Sequence, residues 1–269
     1  MGNYPQGQLQ DRLSISTMKG EELSKVKIIK DIIYGSQDSE SQVLDLYLPD
    51  TEMSDVLIYF HGGGLEAGDK HCNLRFEQLV NAGKAVISAN YRMYPKAVFP
   101  EFLEDGAAVV HWAKENLSSY IKVKNFFVGG SSAGAYMTAM LAYDTKYLGA
   151  YGVQTTDISG YIIDSAQVTT HFNVLRERGI NTKRIVVDEA APVYHISENT
   201  AFPKALVIVS DNDMPCRLEQ NLMFLKTAKM FGCPEEKMLY KLMEGFTHCG
   251  YTGTEAFADF ILDFMNSIE

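Results

Sequence analysis

The chain has 269 residues, 46% of them hydrophobic, and a formal net charge of −10 at pH 7. Residues 1–269 suit one large α/β domain, with enough chain to bury a sizeable core. The acidic balance argues against a polyanion-binding surface, so no nucleic-acid partner is expected. No apolar run approaches the ~20 residues of a membrane span, so no membrane partner is expected either.

The first residues, Met1-Gly2-Asn3-Tyr4-Pro5-Gln6, carry neither a basic stretch nor an apolar one. The expectation is therefore no secretory signal, and Gln6 departs from the myristoylation pattern. Cys72, Cys216, Cys233 and Cys249 are scattered without a C-x-x-C pair. Reduced thiols in a cytoplasmic protein fit this better than disulfides or a zinc site.

Val26–Ile33 and Gln42–Leu48 read as strands. They are expected to pair antiparallel, because the connection around residues 35–40 is too short for a crossover helix. After residue 55, strand-like and helix-like segments alternate. This predicts an α/β fold: a mostly parallel central sheet with helices on both faces. Val56–Phe60, Ala85–Ala89, Phe126–Val128, Gly160–Ile163, Leu206–Val209 and Met238–Leu242 read as its buried strands. Phe102, Leu103, Val109, Val110, Ala113 and Leu117 form one apolar stripe and predict a helix over 99–117. A second helix begins at Ala133, with Met137, Met140 and Leu141 inward. Phe257, Phe260, Ile261, Phe264 and Ile268 follow helical spacing at the end of the chain. Residues 166–202 break the alternation, being too long for a plain crossover. They are read as a small inserted helical cap over the site.

Two glycine-rich runs sit where predicted strands end. His61-Gly62-Gly63-Gly64 follows Val56–Phe60, and Gly130-Ser131-Ser132-Ala133-Gly134 follows Phe126–Val128. The second is a G-x-S-x-G pentapeptide, the strand-to-helix turn that lifts a serine hydroxyl out of the backbone. Only Ser132 has glycines at both required offsets, since position 133 is Ala. The first run is a loop of backbone N–H groups suited to an oxyanion. A nucleophile and an anion hole, in this order, describe an acyl-transfer hydrolase.

With these residues the chain resembles the α/β-hydrolase superfamily. The likeness is to the esterase and lipase branch with an HGGG loop, the hormone-sensitive-lipase-like and small bacterial carbohydrate-esterase families. Asn90-Tyr91-Arg92, Phe99-Pro100 and Glu104-Asp105 are similar to that branch's N-Y-R…F-P…D segment. Two positions depart from it. Leu65 stands where the family often has an aromatic residue, and Ser131 where it often has Asp or Glu.

The resemblance implies the chain order Ser, then Asp or Glu, then His. The acid falls in Ser210-Asp211-Asn212-Asp213, after Leu206–Val209. Asp213 matches the family's G-x-x-D pattern, with Ser210 in the Gly position, and Asp211 is read as a turn residue capping local backbone. The base is His248, which follows Met238–Leu242 and precedes the final helix. Backbone N–H groups of Gly63, Gly64 and Ala133 form the expected oxyanion hole. No cofactor and no metal are implied.

The remaining candidates have plainer readings. His61 holds the HGGG loop in shape. His71 and His111 are surface or helix-packing residues. His171 and His195 are read as surface histidines before substrate contacts. Arg92 and Asp105 form a structural ion pair, and Cys249 is a small packing residue. The expected function is a serine carboxylesterase acting on small acyl esters, with acetyl or feruloyl esters of carbohydrates in view. An amidase, formamidase or peptidase on the same groups, or a non-catalytic binding protein of this fold, is the alternative. The expected partner is a small-molecule ester.

Overall fold

The structure is a computed structural model that describes residues 26–268 apart from positions 37, 39 and 73. The reading of Met1–Gln6 lies outside the described residues. Two strands open the fold, β1 (Lys27–Ile33) and β2 (Val43–Leu48). There follow β3 (Met53–Phe60), α1 (Phe76–Asn81), β4 (Ala85–Ala89), α2 (Glu101–Asn116), β5 (Lys122–Ser131) and α3 (Ala133–Tyr143). The second half contains α4 (Lys146–Gly149), β6 (Gly160–Asp164), α5 (Phe172–Glu177), β7 (Ala205–Asn212), α6 (Arg217–Met230), β8 (Met238–Thr247) and α7 (Glu255–Asn266).

The strands form one eight-stranded sheet in the order β1-β2-β4-β3-β5-β6-β7-β8. β1 pairs antiparallel with β2, as expected, and β2 pairs antiparallel with β4. All pairs from β4 through β8 are parallel. The period-2 geometry of a strand sorts side chains between two apolar layers. Val56, Ile58 and Phe60 of β3 join α2, α3 and α6 on one face of the sheet. Leu57 and Tyr59 join α1 and α7 on the other. Helices therefore cover both faces, which is why the parallel strands read as continuous apolar runs.

The helix expected over 99–117 runs from Glu101 to Asn116. β5 and β8 extend beyond the apolar segments that announced them, to Lys122–Ser131 and Met238–Thr247. Helix α6 had no sequence signal, for a physical reason. Its buried positions are Arg217, Asn221, Phe224 and Ala228, while Met223 and Met230 are exposed. The buried stripe is half polar, so the apolar pattern does not mark the inward face.

Residues 166–202 are helical only in α5 and in a short 3-10 turn over Pro192–His195; the rest is irregular. Among the described residues no helix is long and apolar enough to cross a membrane.

Candidate active site

The loops after β3, β5, β6, β7 and β8 gather at the carboxyl end of the parallel strands, where open α/β sheets bind ligands. The turn from β5 into α3 puts Ser132 at φ 56° and ψ −113°. A non-glycine residue in such a conformation costs about 1–3 kcal/mol, which the surrounding packing must sustain. The two flanking glycines make this possible. A Cβ on Gly134 would lie 2.0 Å from Phe60 O, and one on Gly130 would lie 2.5 Å from Gly134 C. Any side chain at either position would push α3 away from β3. Ser132 N–H donates to Asp164 O at 2.8 Å, which ties the turn to β6.

His248, just beyond β8, reaches across to this turn. Its Nε2 lies 2.8 Å from Ser132 Oγ and its Nδ1 2.6 Å from Asp213 Oδ1. An ionised carboxylate only accepts, so Nδ1 carries the hydrogen and Nε2 faces the serine hydroxyl with its lone pair. Burial pushes the Asp213 carboxyl up. The hydrogen bond and charge of His248 outweigh it, with help from Ser165 Oγ and Met214 N–H, and the carboxyl sits below its ordinary value. The structure thus brings Ser132, His248 and Asp213 into one hydrogen-bonded line. Asp211 is outside it: its Oδ1 accepts from Gly245 N–H at 2.8 Å and caps the irregular end of β8.

The HGGG loop runs beside Ser132. A Cβ on Gly62 would stand 3.2 Å from Ser132 Cβ. Gly63 and Gly64 have φ of 113° and 67°, conformations that glycine adopts without strain. Among the described residues, the N–H groups of Gly63, Gly64 and Ala133 donate to no protein acceptor. His61 is buried, holds Gly62 O at 2.7 Å through Nδ1, and stacks on Tyr91 at 4.5 Å between ring centroids. Burial lowers its pKa, so the ring is a neutral brace for the loop.

Segment 166–202 packs against the same loop. Asn173 Nδ2 donates to Gly64 O at 2.9 Å, and Arg176 pairs with Glu66. The Phe172 ring lies so close over Gly64 that a Cβ there would come within 2.8 Å of it. The reading of His171 as a surface residue is corrected: it is 2% exposed. Its Nδ1 accepts Asn173 N–H at 3.2 Å and so caps α5, and its ring packs on Tyr136 and Phe172. Burial, then the charges of Arg217 and Arg176, hold its pKa well below the ordinary value. A capping role for a histidine leaves no periodic signal in the sequence. His195 is mostly covered, with Nε2 3.0 Å from Glu189 O, and His111 stacks on Tyr151. His71 is half exposed and faces Asp69 and Asp45.

Arg92 grips Asp105 through Nε at 2.9 Å and Nη2 at 2.7 Å, and Gln42 Nε2 adds a third donor at 2.7 Å. This cluster anchors α2 to the loop after β4. Cys249 Sγ lies 3.8 Å from His248 Nε2, and burial pushes its thiol well up, which keeps it protonated. One group of residues was not singled out from sequence. Asp164 is fully buried at the end of β6, with Ser131 Oγ at hydrogen-bond distance from its Oδ2 and the Tyr251 hydroxyl from its Oδ1. The available signal was a carboxylate closing the apolar run Tyr161–Ile163 at the carboxyl end of a central strand.

Comparison with known proteins bears on this geometry. The BD-FAE family model matches residues 44–175. Esterase LipI of Mycobacterium tuberculosis is 32% identical over 104 residues, which cover 38% of this chain and 32% of that protein. The chain thus spans about a third of the length of that relative. The gibberellin receptor GID1C of Arabidopsis thaliana is 27% identical over 199 residues, 64% of this chain and 57% of the receptor. A truncated form of a carbohydrate esterase from gut microbiota superposes with a TM-score of 0.75 at 20% identity, covering 92% of this chain and 98% of that one.

Proposed function

This chain belongs to the α/β-hydrolase superfamily, among its esterases, and from that premise we propose that it is a serine carboxylesterase for small acyl esters. The observation that carries the proposal is the bridge made by His248, 2.8 Å from Ser132 Oγ on one side and 2.6 Å from Asp213 on the other. Ser132 Oγ attacks the ester carbonyl while His248 Nε2 takes its proton. Asp213 holds the ring in the tautomer that allows this and stabilises the imidazolium. The N–H groups of Gly63, Gly64 and Ala133 receive the negative oxygen, each such donor being worth ~10²–10³ in rate. His248 returns the proton to the departing alcohol, leaving an acyl group on Ser132. Water then enters with His248 as base, and the acid is released.

The segment over 166–202 serves as a wall of the site, because Phe172 closes the space above Gly64. A ring there favours a short acyl group such as acetyl. Carbohydrate acetates are the class this wall favours, given the carbohydrate esterase among the structural neighbours, and feruloyl esters, whose acyl group is bulky, are the contrast to set beside them. A cytoplasmic location stays part of the proposal, on the free state of Cys72, Cys216, Cys233 and Cys249. The gibberellin receptor among the relatives raises a binding role as the second reading. A fluorophosphonate probe separates the two. The esterase reading expects covalent labelling of the wild type and none of Ser132→Ala. An unlabelled wild type, or equal labelling of both, overturns it. Aryl esters of graded acyl length, beside acetylated and feruloylated oligosaccharides, then define the substrate.

A further inference from the structure

A run of oxygen atoms at hydrogen-bond distance leads from the far side of the nucleophile turn to the acid of the site. Tyr59 OH lies 2.6 Å from Ser131 Oγ. Ser131 Oγ meets Asp164 Oδ2, and Asp164 Oδ1 meets the Tyr251 hydroxyl. The Tyr251 hydroxyl lies 3.0 Å from Ser165 Oγ, which in turn lies 2.8 Å from Asp213 Oδ2. Each of these five links needs one hydrogen, and the hydroxyls of Tyr59, Ser131, Tyr251 and Ser165 bring four. The fifth belongs to one of the two carboxyls.

Asp213 is the poorer holder, because His248 and Met214 N–H both donate to its Oδ1 at 2.6 Å and favour the anion. Asp164 is fully buried. The groups that face it are Tyr59 from β3, Ser131 from β5, Ser165 beside it, Asp213 from the end of β7, and His248, Cys249 and Tyr251 from the turn after β8. The guanidinium of Arg217, from α6, is engaged with Ser165 O at 2.6 Å. Ionised, Asp164 would draw the hydrogens of both Ser131 and Tyr251. Tyr251 and Ser165 would then meet lone pair to lone pair, and a second buried anion would sit near Asp213.

We propose that Asp164 is a positioning residue of the esterase site: as a neutral carboxyl it donates to Tyr251 and completes a one-way run of O–H donors, from Tyr59 to Ser165, that ends on Asp213 and holds it toward His248. Asp164 is paired in register with Ser131. The carboxyl beneath the nucleophile is therefore supplied from the neighbouring strand. Burial pushes the carboxyl up to about 6 even with Ser131 and Tyr251 both donating to it and pulling it down. The neutral form also gains the hydrogen bond it donates to Tyr251 and keeps the link between Tyr251 and Ser165, and both favour the proton further.

The proposal rests on the esterase reading, and its test has an arm that does not. Asp164→Asn keeps the same pattern, since its amide donates to Tyr251 and its carbonyl accepts from Ser131. Asp164→Leu keeps the branched shape, with somewhat more volume, and breaks the run. In an infrared difference spectrum of wild type against Asp164→Asn at pH 7, the wild type shows the carbonyl band of a buried protonated carboxyl. Absence of the band overturns the proposal whether or not any ester is hydrolysed. In kinetics, Asp164→Leu lowers kcat by about tenfold with KM little changed, the worth of one hydrogen bond on the acid, and Asp164→Asn recovers most of that loss. Should Asp164→Leu fail to fold, Tyr251→Phe breaks the next link and gives the same fall in kcat. An Asn variant as slow as the Leu variant, or a Tyr251→Phe enzyme with wild-type kcat, overturns the proposal.

Discussion

Asp164→Asn also carries a stability signature whose size follows from the structure. Burial raises the carboxyl to about 6 in the fold, and the hydrogen bond it donates to Tyr251 favours the proton beyond that, against about 3.9 in an unfolded chain. Below pH ~4 it is protonated in both states, and its contribution to stability is fully present. As pH rises, the unfolded carboxyl gives up its proton first, which favours unfolding. The loss continues until the folded carboxyl ionises, at pH ~6 or above. A difference of at least about two units corresponds to at least about 3 kcal/mol, so the wild type should lose that much or more relative to Asp164→Asn between pH 4 and pH 8. Asp213 titrates in the opposite sense, its depressed pKa giving stability that is lost as pH falls, but it is common to both proteins and cancels in the difference. Urea unfolding of both proteins at pH 4, 5, 6, 7 and 8 measures the gap. A gap that changes by less than about 1 kcal/mol across the range, or in favour of the wild type as pH rises, refutes the reasoning about a buried neutral carboxyl.

Asp213→Asn should cut kcat by about 10⁴, because an amide beside Nδ1 favours the wrong tautomer of His248. Asp211→Asn, which leaves the His248 line untouched, should cost less than tenfold by comparison, and steady-state rates with an aryl acetate decide between the two carboxylates. Phe172→Ala should open the space above Gly64, raising kcat/KM for butyryl over acetyl esters by about tenfold or more. An unchanged acyl preference would remove Phe172 from the wall of the site. Arg92→Met should destabilise the fold by about 3–5 kcal/mol, since Asp105 is 1% exposed and would lose its charge partner. The midpoint of a denaturant curve reads this directly, and a loss below about 1 kcal/mol would mean that Gln42 and the Arg92 N–H suffice for Asp105.

Much of the molecule is legible in one dimension because its physics is local. Strand β3 reads as a strand because Val56–Phe60 is apolar on both faces, and the sheet that forms is buried on both faces. The register of the turn from β5 into α3 is local too. Gly130 and Gly134 are dictated by the approach of α3 to β3, and only Ser132 lies between them at the right offsets. The order of Ser132, Asp213 and His248 follows from the order of the strands that deliver them.

Other features exist only once distant segments meet. Helix α6 buries Arg217 and Asn221 because β6 and the turn after it need donors at Ser165 O and Ala166 O. No periodicity within α6 reports that demand. His171 looked like a surface residue because nothing near it in sequence says that Tyr136 and the capped end of α5 will enclose it. The same holds most clearly for Asp164. Its neighbours Tyr59, Ser131 and Tyr251 come from two strands and a turn separated by up to 192 positions, from Tyr59 to Tyr251. Whether a carboxyl is a solvated anion or a buried acid depends on what surrounds it in space, through desolvation and the supply of donors. The sequence by itself determined which groups could do chemistry and in what order they arrive; the tertiary structure decided which of them are neutral, which are charged, and which hold the others in place.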